Sequence, residues 1–491
     1  MRLDELMARL DPIERRFAPG IEDRPDVTAL TADSRQVVPG ALFAALPGAR
    51  TDGRTHIEEA VRRGAAAVLA PEGTEWPPGV PPRPLLTARD PRRALALMAA
   101  RFHGVQPGTV VAVTGTNGKT STADFLRQIW ADGGSRAASM GTLGLVADGF
   151  PQGPSLTTPD PVSLHATLAA IARGGVTHAA MEASSHGLEQ RRLDGVALAG
   201  AGFSNLTRDH LDYHGTIEAY RAAKLRLFDT LLEPGRPAVV NADMEGATLA
   251  ALRAIAASRK LRLLTVGEAG SDLRLLRHAP KADGQEIEIS LFGRREAVHL
   301  PLVGRYQADN VMVAAALAVA TGMPADRVLR ALPHLAGVRG RMELAARLPN
   351  GAAVYVDYAH TPDALERLLL ALRPHAARLH VVFGAGGDRD PGKRPLMGFA
   401  AARHADRVVV TDDNPRSEDP AAIRAAVLAA CPGAVDIGGR EAAIAEAMAA
   451  LGPGEVLAVA GKGHESGQTI AGVIHPFDDV EVVRRLAGTL S

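Results

Sequence analysis

The densest chemical signal in the 491-residue chain is Thr114-Gly115-Thr116-Asn117-Gly118-Lys119-Thr120-Ser121. An apolar run, VVAVTG, leads into it and ADFLRQIW follows, so the segment joins a strand to a helix. Glycines let backbone N–H groups curl toward a phosphate, and a helix N-terminus adds positive potential. Lys119 then reaches the β- and γ-phosphates of a nucleotide, and the Thr120 hydroxyl suits Mg²⁺. The usual spacing would place a glycine where Val113 stands, and Gly115 takes its place.

A second group follows the run THAAMEAS, where Glu182 ends a strand. A carboxylate there offers the hard oxygen that Mg²⁺ prefers. Downstream, Asp209, His210, Asp212 and His214 crowd one segment. Zinc is the other reading of such a cluster, but no cysteine or HExxH helix accompanies it. A third group lies in three polar loops after strands: 386–390, 412–416 and 461–465. Arg389 and Arg416 carry planar forks suited to carboxylates, and Glu465 offers an anion to an ammonium. Loops at the carboxyl ends of one parallel sheet converge on one crevice.

The spelling Gly-Thr-Asn-Gly-Lys-Thr resembles the ATP loop of the Mur ligase family, which builds the peptidoglycan peptide, and of the related folylpolyglutamate synthases. The resemblance to the Mur ligases covers essentially the whole chain. It implies an ATP-dependent amide ligase that adds meso-diaminopimelate to the D-glutamate γ-carboxylate of a UDP-N-acetylmuramoyl dipeptide through an acyl phosphate. ATP and Mg²⁺ are the implied cofactors. The implied catalytic residues are Lys119, His210 and Lys224, and the implied metal positions are Thr120, Glu182, His210 and Lys224 once carboxylated. Carboxylation replaces an ammonium by an anion that can sit beside Mg²⁺; an unmodified helix lysine would be a solvated charge.

The resemblance also implies nucleotide contacts at Gly115 through Ser121, Asn310, Arg341 and Asp357. Asn310 reads from the sequence as standing ahead of the apolar helix VMVAAALAVA, where it would also serve as an N-cap. The UDP-substrate contacts it implies are Ser34, Ala49, Arg50, Thr51, Thr157, Thr158, Ser184, Gln190 and Arg192. For diaminopimelate they are Arg389, Asp413, Asn414, Pro415, Arg416, Gly461 and Glu465, with Asp413-Asn414-Pro415-Arg416 resembling the family's selecting motif. The alternative of a folylpolyglutamate-synthase-like ligase would need neither that motif nor a UDP domain. A nucleotide sensor without turnover would not need Glu182, His210 and Lys224 together.

The elements that position these groups alternate β-rich runs with amphipathic helical stretches, the pattern of α/β folds with mostly parallel sheets. Three domains are expected: a small α/β UDP-binding domain over 1–103, a central P-loop-like ATPase domain over 104–337, and a Rossmann-like amino-acid domain over 338–491. Asp90-Pro91 and Asp160-Pro161 should open helices, an N-cap followed by proline at the first turn. Lys+Arg and Asp+Glu are both 55, so a chain-wide polyelectrolyte role on nucleic acid is excluded. Aromatic residues at 4% leave few rings for base stacking. One cysteine, Cys431, excludes an internal disulfide framework. No apolar run is long enough to span a bilayer. A cytoplasmic monomer acting on small molecules, without membrane insertion, is the expectation.

Overall fold

The computed structural model of the protein describes residues 1–8, 10, 14–16, 25–48, 51–151, 153, 156–281 and 284–489. These form two compact units: Met1–Ala112 with Ser135–Ala199 and Ala222–Glu233, and Val113–Gly134 with Gly200–Arg221 and Pro234–Ser491. The architecture is α/β throughout.

In the first unit, Ala29–Thr31, Ala41–Ala44, Ala67–Pro71 and Leu85–Ala88 form a parallel sheet, and Glu14–Arg16 closes one edge antiparallel to Leu85–Ala88. Its buried strands read as continuous apolar runs because both faces are covered, by clusters around Leu42 and Phe43 respectively. Asp90 accepts the Arg93 N–H and Pro91 opens the helix Pro91–His103, as its sequence requires. Asp160 does the same for Pro161–Arg173. The strand His178–Glu182 pairs in parallel with Ala137–Gly141, which turns back antiparallel into Gly144–Ala147.

In the second unit, Leu198–Phe203, Pro237–Asn241, Arg262–Gly267 and Leu273–Lys281 pair successively in parallel. The sequence reading of a mostly parallel sheet holds there, but an antiparallel meander of Leu273–Lys281, Gly284–Leu291 and Arg294–Leu300 extends it. The same unit holds a six-stranded sheet in the order Glu343–Arg347, Ala353–Asp357, Val456–Ala460, Leu379–Phe383, Arg407–Val410, Val435–Asp436. All of its pairings are parallel except the first. The loops after residues 383, 410 and 460 therefore leave one end of three adjacent strands. A small hairpin, Gly467–Ile470 with Val473–Pro476, follows the last of them.

Candidate active site

The phosphate loop is shaped by close backbone approach. Gly115 has φ 146°, and a Cβ there would lie 2.0 Å from Ser204 Oγ. Gly118 has φ 85°, and its Cβ would lie 2.2 Å from Asn310 Oδ1. Glycine is thus required at both positions, and the helix Lys119–Asp132 starts directly behind Gly118. Lys119 Nζ donates to the carbonyls of Gly115 (3.0 Å) and Thr116 (2.7 Å), folding its ammonium over the loop. Asn205 clamps the loop from a second segment: its carbonyl accepts the Thr116 N–H and its Oδ1 accepts the Asn117 N–H. The Thr116 hydroxyl receives both the Thr207 N–H and the Tyr220 hydroxyl. Burial pushes the Tyr220 phenol upward, Asp209 adding to it, so it stays a neutral donor.

Asn310 does not precede its helix. It lies inside Arg305–Ala320, buried, donating through Nδ2 to Gln307 Oε1. The helix starts earlier than the apolar run because Gly304, at φ 99°, sets its entry ahead of Tyr306 and Gln307. That shift aims Asn310 at Gly118 of the packed neighbouring helix. Arg341 donates to Thr120 Oγ1 at 3.3 Å and lies over the Tyr358 ring at 4.5 Å, so it touches the loop itself. Asp357 accepts the Met342 and Ala359 N–H groups, fixing the turn that carries Arg341. Its carboxyl is pushed up by burial, against the opposing pull of Arg341. His210 takes φ 52° and pairs with Asp209 at 3.4 Å, its ring edge-on to Tyr220.

In the first unit, Glu182 is 2% exposed at its strand end. Its Oε1 accepts the Thr142 N–H at 2.7 Å and its Oε2 the Thr142 hydroxyl at 3.2 Å. A carboxylate has about four acceptor positions, so lone pairs remain for a hard cation. Gly141 makes room, since a Cβ there would lie 2.1 Å from Glu182 Oε1. The expected UDP-substrate residues gather around this glutamate. Thr157 and Thr142 share a hydroxyl contact, and Thr158 donates to the Glu182 carbonyl while accepting the Ser184 N–H. Arg192 donates to Thr158 O and to Gln190 Oε1. Ser184 also caps the short helix behind it. Ser34, beside the small parallel sheet of the same unit, is buried and donates to Glu59; Thr51 is exposed, and Ala49 and Arg50 lie outside the described residues.

Lys224 is 1% exposed, so the solvated helix lysine expected from its sequence alone is ruled out. Its helix, Ile217–Arg226, runs into a π-helical turn, Leu227–Leu231. Arg226 pins that end, donating to Asp194 Oδ2 at 2.7 Å and to the Leu188 carbonyl. Among the described residues, no group of three or more His, Cys, Asp or Glu side chains stands ready to hold a metal. Mg²⁺ needs no such group, since it takes only one or two carboxylates and keeps water.

The third group comes together at the end of the six-stranded sheet. Arg416 has φ 55° and donates from Nη1 to the Gly387 carbonyl at 2.7 Å, joining the loops 386–390 and 412–416. Arg394, which the sequence reading missed, binds Glu418 at 2.8 Å. Arg389 is exposed. Asn414 and Glu465 bond each other, and both bond Lys462, a residue the sequence reading passed over. Gly461 leaves space for Asp413, whose Oδ2 would lie 2.6 Å from a Cβ there. Beneath them Arg440 and Asp479 form a pair with both side chains fully buried, and Arg440 also donates to the Ala460 carbonyl.

A phosphate loop on one sheet and three substrate-sized loops at the end of another define an ATP-using ligase class. Residues 26–103 match the Mur ligase family catalytic domain, 113–318 the Mur ligase middle domain, and 340–463 the Mur ligase glutamate ligase domain. The chain belongs to the Mur ligase family. A Caulobacter vibrioides protein named UDP-N-acetylmuramoyl-L-alanyl-D-glutamate--2,6-diaminopimelate ligase is 55% identical over 472 residues, covering 94% of this chain and 96% of its own. A Chelativorans protein of the same name is 54% identical over 460 residues, covering 94% of each. A solved structure of a ligase of that name has a TM-score of 0.68 at 36% identity, covering 94% of this chain and 95% of its own.

Proposed function

We propose that this chain joins meso-2,6-diaminopimelate to the D-glutamate of UDP-N-acetylmuramoyl-L-alanyl-D-glutamate, with ATP, as a cytoplasmic monomer in peptidoglycan precursor synthesis. The observation that carries the reading is the near-full-length likeness to ligases of that name. The strand-end loops that present Arg416 and Glu465 agree with it. The three-domain division at 103 and 337 belongs to the same proposal.

The glutamate γ-carboxylate attacks the γ-phosphorus of ATP, ADP leaves, and an acyl phosphate forms. Lys119 swings from the loop carbonyls to the phosphates and balances the charge that develops there, so positioning and electrostatics supply most of the rate. Asn310 and Arg341 bind the nucleotide beside the loop, and Asp357 holds Arg341. An amine of diaminopimelate then attacks the acyl carbon, loses a proton, and phosphate leaves. Thr120 and Glu182 would hold Mg²⁺, with His210 and carboxylated Lys224 as further positions; the metal would supply charge neutralisation to the phosphates. The remaining lone pairs of Glu182 and the burial of Lys224 fit that assignment. Thr157, Thr158, Ser184, Gln190 and Arg192, with Ser34, Ala49, Arg50 and Thr51, bind the UDP substrate. Arg389, Asp413, Asn414, Pro415, Arg416, Gly461 and Glu465 bind diaminopimelate.

The test is phosphate release with mass detection of the product. Release that requires both the UDP-dipeptide and diaminopimelate supports the reading. Release with a folate and glutamate, or nucleotide binding without turnover, overturns it.

A further inference from the structure

We propose that Lys462 is a positioning residue for amino-acid selection: its buried ammonium fixes the Glu465 carboxylate, directly and through Asn414, to receive the distal ammonium of the incoming amino acid. This rests on the reading of the pocket given above and adds a residue to it.

Lys462 is 0% exposed, rare for a lysine, whose charged end normally reaches water. A buried ammonium persists only where its charge and its donors are answered. Here Nζ donates to Glu465 Oε2 at 3.0 Å and to Asn414 Oδ1 at 3.1 Å. Asn414 Nδ2 closes the triangle, donating to the same Glu465 Oε2 at 2.9 Å. The Asn414 amide can face only one way, because its Oδ1 also accepts the Thr469 N–H at 2.9 Å. That N–H belongs to the hairpin Gly467–Ile470, whose Gln468 holds the Asp413 carbonyl at 2.6 Å. One ammonium thus ties together the loop after residue 410, the loop after residue 460 and the hairpin.

The asymmetry of Glu465 points beyond a structural tie. Both inward hydrogen bonds fall on Oε2, and the side chain as a whole is 33% exposed. One oxygen is anchored in the interior and Oε1 is left to an outside partner. A carboxylate held this way has its rotamer fixed before the ligand arrives, so little ordering remains to be done on binding.

The experiment is steady-state kinetics on the full chain, varying diaminopimelate, ATP and UDP-dipeptide in turn. Lys462→Met should raise the KM for diaminopimelate roughly tenfold or more, the loss of about one charge-assisted contact. The KM values for ATP and UDP-dipeptide should stay within about twofold, since neither meets Glu465. In a Glu465→Gln background, Lys462→Met should add less than about twofold, because the effect runs through the carboxylate. An unchanged KM for diaminopimelate, an equal rise for all three substrates, or a full additional effect in the Glu465→Gln background overturns the proposal. If Lys462→Met does not fold, Lys462→Gln keeps a donor and is read by the same criteria; failure of both to fold makes Lys462 a scaffold residue and also overturns it. Wild-type protein that does not ligate diaminopimelate refutes the proposed function itself, a result distinct from any of these.

Discussion

The phosphate loop and the amino-acid pocket both follow buried strands, yet they are held in shape by different means. The phosphate loop is shaped by what is missing: Gly115 and Gly118 leave room that any Cβ would fill, and Ser204, Asn205 and Asn310 press into it. The amino-acid pocket is shaped by what is buried. Lys462, Arg440 and Asp479 lie out of water beneath Asn414, Gly461 and Glu465, and ionic hydrogen bonds set the loops. A loop that grips a nucleotide common to many enzymes needs backbone geometry. A pocket that discriminates among amino acids needs fixed charges, and fixed charges need buried partners.

If this contrast is right, the two regions should fail differently. The largest effect is expected from Lys119→Ala, which should lower ligation by about 10³-fold or more with little change in thermal stability, since its ammonium folds over the loop carbonyls of Gly115 and Thr116, where the phosphates would lie. Phosphate release and a melting curve decide it; near-normal turnover would remove Lys119 from the chemistry. Asp479→Ala should do the reverse. It leaves the Arg440 charge buried and unpaired, at a cost of about 3–5 kcal/mol, which chemical denaturation would read as an early unfolding transition. A variant as stable as the parent would show that the pair is not what supports the pocket.

Lys224→Ala should lose about 100-fold or more in kcat, as the removal of one electrostatic group at the reacting phosphates does. Intact mass of the active protein should report a carboxylated lysine, and an unmodified lysine in the active form would contradict it. Arg416→Ala should raise the KM for diaminopimelate by about 10–100-fold, the value of one bidentate charged contact, with a much smaller change for ATP. Equal use of L-lysine and diaminopimelate by the parent protein would defeat that assignment.

The smallest effect concerns acid. Burial, then Arg341 and Arg339, pushes His464 down to about 3 from its ordinary 6.5. Between those values the unfolded chain binds more protons than the folded one, so stability falls as pH drops from about 6.5 toward 3. This one ring contributes at most about 1.4 kcal/mol per pH unit. Urea denaturation at pH 7 and pH 5 should show a shallower decline in His464→Gln; an identical slope would assign acid sensitivity to other groups.

The same contrast explains what the sequence made legible. The phosphate loop was readable because its determinants are contiguous, and the helix starts at Pro91, Lys119 and Pro161 because caps and glycines act locally. Thr142, which faces Glu182 across 40 residues, and Asn205, which clamps Asn117 across 88, carry no local signature. Lys462 sat inside a polar loop and was passed over; its burial follows from tertiary packing that the local sequence does not report. Glu418 lies two residues from Arg416, yet Arg394 from the helix Lys393–His404 takes that carboxylate, a pairing across 24 residues with no local signature. Lys224 shows the opposite limit. Its identity was readable through resemblance, while its burial depends on helix packing that composition does not report.

The Arg440–Asp479 pair has a consequence for how the protein is made. Chains emerge N-terminus first, and Arg440 leaves the ribosome 39 residues before the carboxylate that neutralises it. Until Asp479 arrives, the strand Val456–Ala460 has a buried cation at its end without its hydrogen-bonded carboxylate. Closing the sheet that bears the amino-acid loops before then would bury Arg440 without that partner, at a cost of about 3–5 kcal/mol. The helix Asp479–Thr489 is therefore the piece on which closure of the pocket waits, and a chain cut before it should leave the amino-acid loops unset.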